Sequence, residues 1–165
     1  MANPAQNGLL ARFFARALAS GLGSGYLRPA PGTWGSTAAL LLLIWLRPSE
    51  AVLAVCLMAS VPLGYWAIGL VQSARHGDDS DPGWIVWDEW QGLALGWLLA
   101  APESWWGYGL LFVFFRALDG YKVGAVRAVD EGLTGPWGVM VDDWIAGIGA
   151  GMLTRVILAL VAYAF

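Results

Sequence analysis

The chain has 165 residues, 58% of them hydrophobic and only 13% charged, with a formal net charge of −3. Soluble domains carry about twice that share of charge, so there are too few charges to clothe a water-facing surface, and lipid is expected to solvate much of it. No basic stripe with interleaved aromatics occurs, which argues against nucleic acid as a partner; the lone Cys56 excludes an internal disulfide, and the lone His76 excludes a His-pair mechanism.

Residues 8–20 place Leu9, Leu10, Phe13, Phe14, Ala17 and Leu18 at helical spacing, with Arg12 and Arg16 between them. That pattern predicts a helix lying in the membrane interface with its arginines toward the headgroups, or alternatively a first packing layer. The arginines also interrupt any secretory h-region. A loop over 21–35 follows, whose glycines would let backbone N–H groups converge on an anion. Thr33 or Ser36 is expected to cap the helix 36–46. After a polar break, 51–71 is long enough to span a bilayer, with Cys56 read as a small buried hydrophobe. Residues 72–84 are acidic and turn-rich, and Asp78, Asp79 and Asp81 read as a solvated loop. Helices are then expected over 86–100, 105–118 and 144–165, with a polar stretch from 119 to 141.

Segments 36–46 and 89–100 would each be about 17 Å long, short of the roughly 30 Å hydrocarbon layer. The fold class is therefore all-α, a single domain over 1–165. It is a multi-helix membrane bundle with an N-terminal interfacial helix and short, partly spanning helices. If each apolar segment reverses direction, loops 21–35, 72–84 and 119–141 share one face. That face collects Arg12, Arg16, Arg28, Arg75, Arg116, Lys122 and Arg127, and every carboxylate except Glu50 and Glu103. The positive-inside rule then puts these loops in the cytoplasm of a multi-pass inner (plasma) membrane protein.

Four clusters on this face can do chemistry. The first is the glycine-rich loop with Arg28. It is not a Walker loop, because no Gly-Lys-Ser/Thr follows. The second is Asp88-Glu89, set among tryptophans at a helix start, where an unneutralised charge at the bilayer boundary is costly. The third is Arg116, Asp119 and Lys122 at i, i+3, i+6, reading either as a phosphate clamp or as an Arg116–Asp119 structural pair. The fourth is Asp142-Asp143, expected to open the last helix, followed by Gly147 and Gly151 as a small-xxx-small packing face. Four carboxylates without His or Cys suit a hard divalent cation, Mg²⁺ rather than Zn²⁺.

The ordered series GLGSG…PGTWGS, IVWDEWQG, FRALDGYK and GVMVDDWIAG, between residues 21 and 147, resembles the phosphatidylglycerophosphatase A family. Where family members tend to follow the lysine with Lys-Pro-x-Pro, this chain has Val123-Gly124 after Lys122. The resemblance implies a helical bundle and Mg²⁺-dependent removal of the terminal phosphate from phosphatidylglycerophosphate, giving phosphatidylglycerol. It places Thr33, Asp88, Glu89, Arg116, Asp119, Lys122, Asp142 and Asp143 at motif positions. On this reading Asp88, Glu89, Asp142 and Asp143 are the metal ligands, and Arg116, Lys122 and Arg28 bind the phosphate. Asp88, Asp119 and Thr33 are the candidate catalytic groups, either for water attacking phosphorus in line or for a covalent route. The partners are a phospholipid substrate and the membrane, and self-association is compatible with the same reading. Two alternatives carry less. A CDP-alcohol phosphotransferase would need an Asp-Gly-x-x-Ala-Arg motif, and Arg127 lies too far from Asp119-Gly120. A non-enzymatic cation channel or transporter would spread its carboxylates along a path rather than gather them at one end.

Overall fold

The computed structural model describes residues 4–74, 82–121 and 135–164. These form six α-helices: α1 Pro4–Ala19, α2 Pro31–Leu46, α3 Glu50–Ser73, α4 Trp87–Ala100, α5 Trp105–Tyr121 and α6 Pro136–Ala164. A 3₁₀ turn, Ser24–Tyr26, sits between the first two, and the described residues contain no strand.

Local chemistry sets most of the ends. Pro31 and Pro136 open α2 and α6, where the missing N–H costs nothing and the fixed φ suits the first turn. Consequently α6 begins eight residues earlier than expected, and Asp142 and Asp143 lie inside it rather than at its start. α2 likewise begins at Pro31, with Ala30 as an N-cap that offers no side-chain bond, so neither Thr33 nor Ser36 is the cap. Ser49 does cap α3, accepting from the Val52 N–H at 3.4 Å. α2 and α4 both end on a left-handed residue just before a proline, Arg47 (φ 43°) and Ala101 (φ 44°).

The glycine run after α1 does not cradle an anion. Leu22 N–H donates to the Ala17 carbonyl at 2.8 Å and Gly21 N–H to that of Leu18 at 2.9 Å. This is a Schellman cap, with Gly21 at φ 54° in the position that wants no Cβ. The N–H groups of Gly23, Ser24, Gly25, Tyr26 and Leu27 also donate to carbonyls within the loop. None is left to point at a ligand. The segment ends α1 and turns the chain into α2.

α4 is the hub. It packs against α2, α3, α5 and α6, and nine of its residues are buried, including Asp88, Glu89 and Gln91. Contacts along its length give the directions of its neighbours. Gly147 meets Gly92, and Gly151 meets Gly96, so α4 and α6 run parallel. Leu111 meets Gly96 while Phe115 meets Gly92, so α5 runs antiparallel to both. The start of α2, the start of α4 and the end of α5 therefore come together at one end of the bundle.

The outer surface is apolar. Ala15 and Ala19 turn inward from α1 onto Ala67, Ile68 and Val71 of α3. The large residues Leu9, Leu10, Phe13 and Phe14 are left exposed. That inverts the pattern of a water-soluble helix. Trp45 and Trp105 at the far end are exposed by 79% and 81%. Cys56, expected to be buried, lies instead on the exposed face of α3. α3 and α6, with 24 and 29 residues, are long and apolar enough to cross a membrane. α2 and α4, with 16 and 14 residues, reach only about 24 and 21 Å, as the short-helix expectation requires.

Candidate active site

Asp88 and Glu89 occupy the first turn of α4, and Asp143 lies two turns into α6. One carboxylate oxygen from each of the three lies within 4.8 Å of the others, and all three residues are buried. The spacing that brings them together repeats in both helices: Asp88-x₃-Gly92-x₃-Gly96 and Asp143-x₃-Gly147-x₃-Gly151. Residues four apart share a helix face. Both helices therefore present an acid, then a glycine one turn further on, then a second glycine.

The glycines set the separation. A Cβ on Gly147 would collide with the Gly92 carbonyl oxygen, and one on Gly96 would stand 2.8 Å from the Gly147 carbonyl oxygen. Backbone meets backbone here, in the small-xxx-small manner of membrane helices. The Gly147/Gly151 face is thus seen as expected, and its partner, Gly92/Gly96, is the half that sequence reasoning missed.

A hydrogen-bonded chain pins the same crossing. Trp144 Nε1–H donates to Gln91 Oε1 (3.3 Å), Gln91 Nε2–H to Ser60 Oγ (2.8 Å), and Ser60 O–H to the Leu57 carbonyl (2.8 Å). The amide is fixed in one sense, because an indole can only donate. Trp87 Nε1 adds a 3.4 Å contact to the Ser60 carbonyl. Gln91, at 2% exposure, joins α3, α4 and α6 directly beside the acids. It stands in the quoted motif but was given no role.

The positive side comes from α5 and α2. Arg116 Nη1 pairs with Asp119 Oδ2 at 2.7 Å, lies 3.9 Å from Glu89 Oε1, and donates to Ser36 Oγ at 3.2 Å. Ser36, fully buried, passes its own hydrogen to the Gly32 carbonyl at 2.8 Å. Gly32 is pressed against the site: a Cβ there would strike Glu89 Oε1 and stand 3.3 Å from Arg116 Nη2. The first turn of α2, with its unpaired N–H groups and the positive end of its dipole, is thus set beside Arg116. Asp143 has Asp88, Asp119 and Arg116 as charged neighbours, and Asp119 is within hydrogen-bonding reach of it.

Of the other candidates, Asp142 is buried but stands outside the three-carboxylate group. Neighbouring residues on a helix point about 100° apart, so Asp142 and Asp143 leave α6 in different directions though both are buried. Thr33 is half-buried in the first turn of α2, its carbonyl accepting from Thr37 Oγ1 at 2.7 Å. Arg28 is exposed, bordering a separate cleft with Tyr26, Pro31 and Trp84. Lys122 and Arg127, like Arg75, His76, Asp78, Asp79 and Asp81, fall outside the described residues.

The family model described as phosphatidylglycerophosphatase A matches residues 17–158. The chain belongs to the phosphatidylglycerophosphatase A family. It is accordingly a phosphoric monoester hydrolase. Two proteins named phosphatidylglycerophosphatase A are similar to it. The one from Haemophilus influenzae is 36% identical over 137 residues, covering 81% of this chain and 82% of that protein. The one from Escherichia coli is 34% identical over 139 residues, covering 82% and 79%. A Bacteroides thetaiotaomicron protein, named as a candidate phosphatidylinositol-3-phosphatase, is 34% identical over 148 residues, covering 84% and 90%. No solved structure matches. The match to the phosphatidylglycerophosphatase A family takes in every residue of the acidic cluster, together with Arg116, Asp119 and the first turn of α2.

The donor set fits a divalent cation. It is all oxygen, as hard cations require, and the three oxygens lie within 4.8 Å of one another, close enough to share one ion. Among the described residues Arg116 is the guanidinium that flanks these three buried acids, and holding like charges together out of water is costly.

Proposed function

We propose that this protein is a Mg²⁺-dependent lipid phosphatase that hydrolyses phosphatidylglycerophosphate to phosphatidylglycerol and inorganic phosphate. It does so as a multi-pass protein of the bacterial inner (plasma) membrane, with its active-site loops cytoplasmic. The observation that carries the reading is the meeting of Asp88, Glu89 and Asp143 against Arg116 and the N-terminus of α2. The names of the Haemophilus and Escherichia relatives support the substrate.

Asp88, Glu89 and Asp143 hold the cation, with Asp142 next to them in sequence. When bound, Mg²⁺ neutralises phosphoryl oxygens and acidifies a water. Arg116 and the free amides at the start of α2 bind the phosphomonoester, a planar guanidinium and a helix N-terminus being two standard anion sites. Asp119 holds Arg116 in place through its 2.7 Å pair, and Ser36 fixes the same guanidinium from the α2 side. Lys122 and Arg28 supply further positive charge for the headgroup. Water attacks phosphorus as the bond to the glycerol oxygen breaks; that oxygen leaves with a proton and the phosphate departs as inorganic phosphate. The deep apolar flanks keep the diacyl part in the bilayer while the headgroup reaches the acids.

The test is phosphate release by the purified protein in detergent. Phosphatidylglycerophosphate should be cleaved only with added Mg²⁺, and much faster than phosphatidic acid. Full turnover in excess chelator overturns the metal assignment, and equal rates on the two lipids overturn the substrate assignment.

A further inference from the structure

A second cation-bearing cleft lies away from the acids. It has a volume of about 590 Å³ and runs between α1 and α3, lined also by Tyr26 and Trp84. Those two rings pack 5.3 Å apart. Its floor is apolar, with Ala15 and Val71 buried, and Phe13 and Leu70 along the sides. Its rim carries Arg12 and Arg16, one helical turn apart and both exposed. Among the described residues the ion pairs belong to Arg116, and neither Arg12 nor Arg16 makes one. None of the residues lining the cleft belongs to the carboxylate site.

The chemistry names the occupant. Two guanidiniums on the same helix face call for a phosphate. An apolar floor, flanked by the exposed Leu9 and Phe13 of α1, calls for a hydrocarbon chain. An interfacial tryptophan and tyrosine mark the level at which the two meet. We propose that the α1–α3 groove is a binding site for an anionic phospholipid, separate from the site of hydrolysis. The lipid phosphate lies between Arg12 and Arg16, and an acyl chain runs over Ala15 and Val71. The groove is joined to the catalytic helix, because Val86 N–H, just ahead of α4, donates to the Ala19 carbonyl at the end of α1 (2.9 Å). A lipid seated there holds α1 against α3 and so stabilises the whole fold by mass action.

The experiment uses the full chain purified in neutral detergent and titrated with phosphatidylserine or phosphatidylcholine. Native mass spectrometry reads binding, and thermal unfolding reads stabilisation. Phosphatidylserine should bind, raise the melting temperature, and outcompete phosphatidylcholine. Arg12→Gln/Arg16→Gln protein should bind it about 30-fold more weakly, the loss expected for two cations at an anionic surface. Arg12→Lys/Arg16→Lys protein should keep most of the binding, and Arg47→Gln, at the opposite end of the bundle, all of it. Equal binding of the two lipids by the unaltered chain overturns the proposal, as does undiminished phosphatidylserine binding by the glutamine pair. A melting shift reproduced in full by inorganic phosphate alone overturns the lipid assignment. Because no arm reads catalysis, failure here is distinguishable from failure of the proposed activity.

Discussion

Replacing Gly147 by alanine tests whether the approach of α4 to α6 sets the geometry of the acids. A Cβ there would strike the Gly92 carbonyl oxygen, with the carbonyl carbon at 2.6 Å and the Gly92 Cα at 3.0 Å. These are backbone atoms in the middle of a buried helix, so no rotamer change relieves the clash. Restoring ordinary carbon contact requires the helices to part by roughly 1 Å. Overpacking of this kind costs about 1–3 kcal/mol, which a melting curve in detergent should show as a fall of a few degrees. The chemical consequence is larger. Asp143 and Asp88 each sit one turn before the clashing glycines, and their oxygens lie within 4.8 Å of each other. A further 1 Å takes one ligand beyond the roughly 2.1 Å reach of Mg²⁺. Loss of supporting geometry around a metal costs about 10–100-fold in affinity. Gly147→Ala should therefore raise the Mg²⁺ concentration for half-maximal phosphate release by that factor. Gly109→Ala is the control, since a Cβ there meets nothing within 4 Å. If Gly147→Ala protein keeps the unaltered Mg²⁺ dependence, the glycine contact does not set the site and the reasoning is refuted.

Three other outcomes follow from the same geometry. Asp143→Asn should lower phosphate release by at least about 100-fold, because it removes a direct ligand rather than a supporting group, whereas Asp142→Asn should cost clearly less; equal losses would place both carboxylates on the ion. Arg116→Lys should reduce kcat/KM by about 10–100-fold, the value of a charge-assisted contact, since an ammonium lacks the planar fork whose Nη1 holds Asp119 and Ser36 while Nη2 stands beside the first turn of α2; a steady-state comparison in which lysine restores full activity contradicts the clamp. Gln91→Leu leaves Trp144 Nε1 and Ser60 without their partner in the α3–α4–α6 crossing and should cost about 1–3 kcal/mol. Denaturation of the variant in detergent measures it, and an unchanged midpoint would show that the chain of bonds adds nothing.

Much of the site was legible because its chemistry is written in residue types. Carboxylates beside tryptophans in an apolar chain are expensive, so Asp88, Glu89, Asp142 and Asp143 stood out as acids that need a cation. Gly147 and Gly151 stood out by their spacing. The glycine run at 21–25 misled, because convergent N–H groups and a helix cap call on the same residue. Hydrogen bonds from Leu22 to Ala17 and from Gly21 to Leu18 decide the matter. Ser36 was misread for a related reason: its role comes from Arg116, eighty residues away.

Composition and order alone pointed to the all-helical architecture and apolar exterior that the described residues have, and to the expectation that most acids and arginines share one face. Those properties follow from hydropathy and helical period, which are local. Which of Asp142 and Asp143 joins Asp88 and Glu89, which glycines touch, and how Arg116 reaches across to α2 were decided only by tertiary structure. Adjacent residues on a helix differ by about 100° in direction, and nothing within the helix chooses between them. The choice is made by the partner helix, where the Gly92–Gly147 contact fixes the rotation of α4 and α6 about each other.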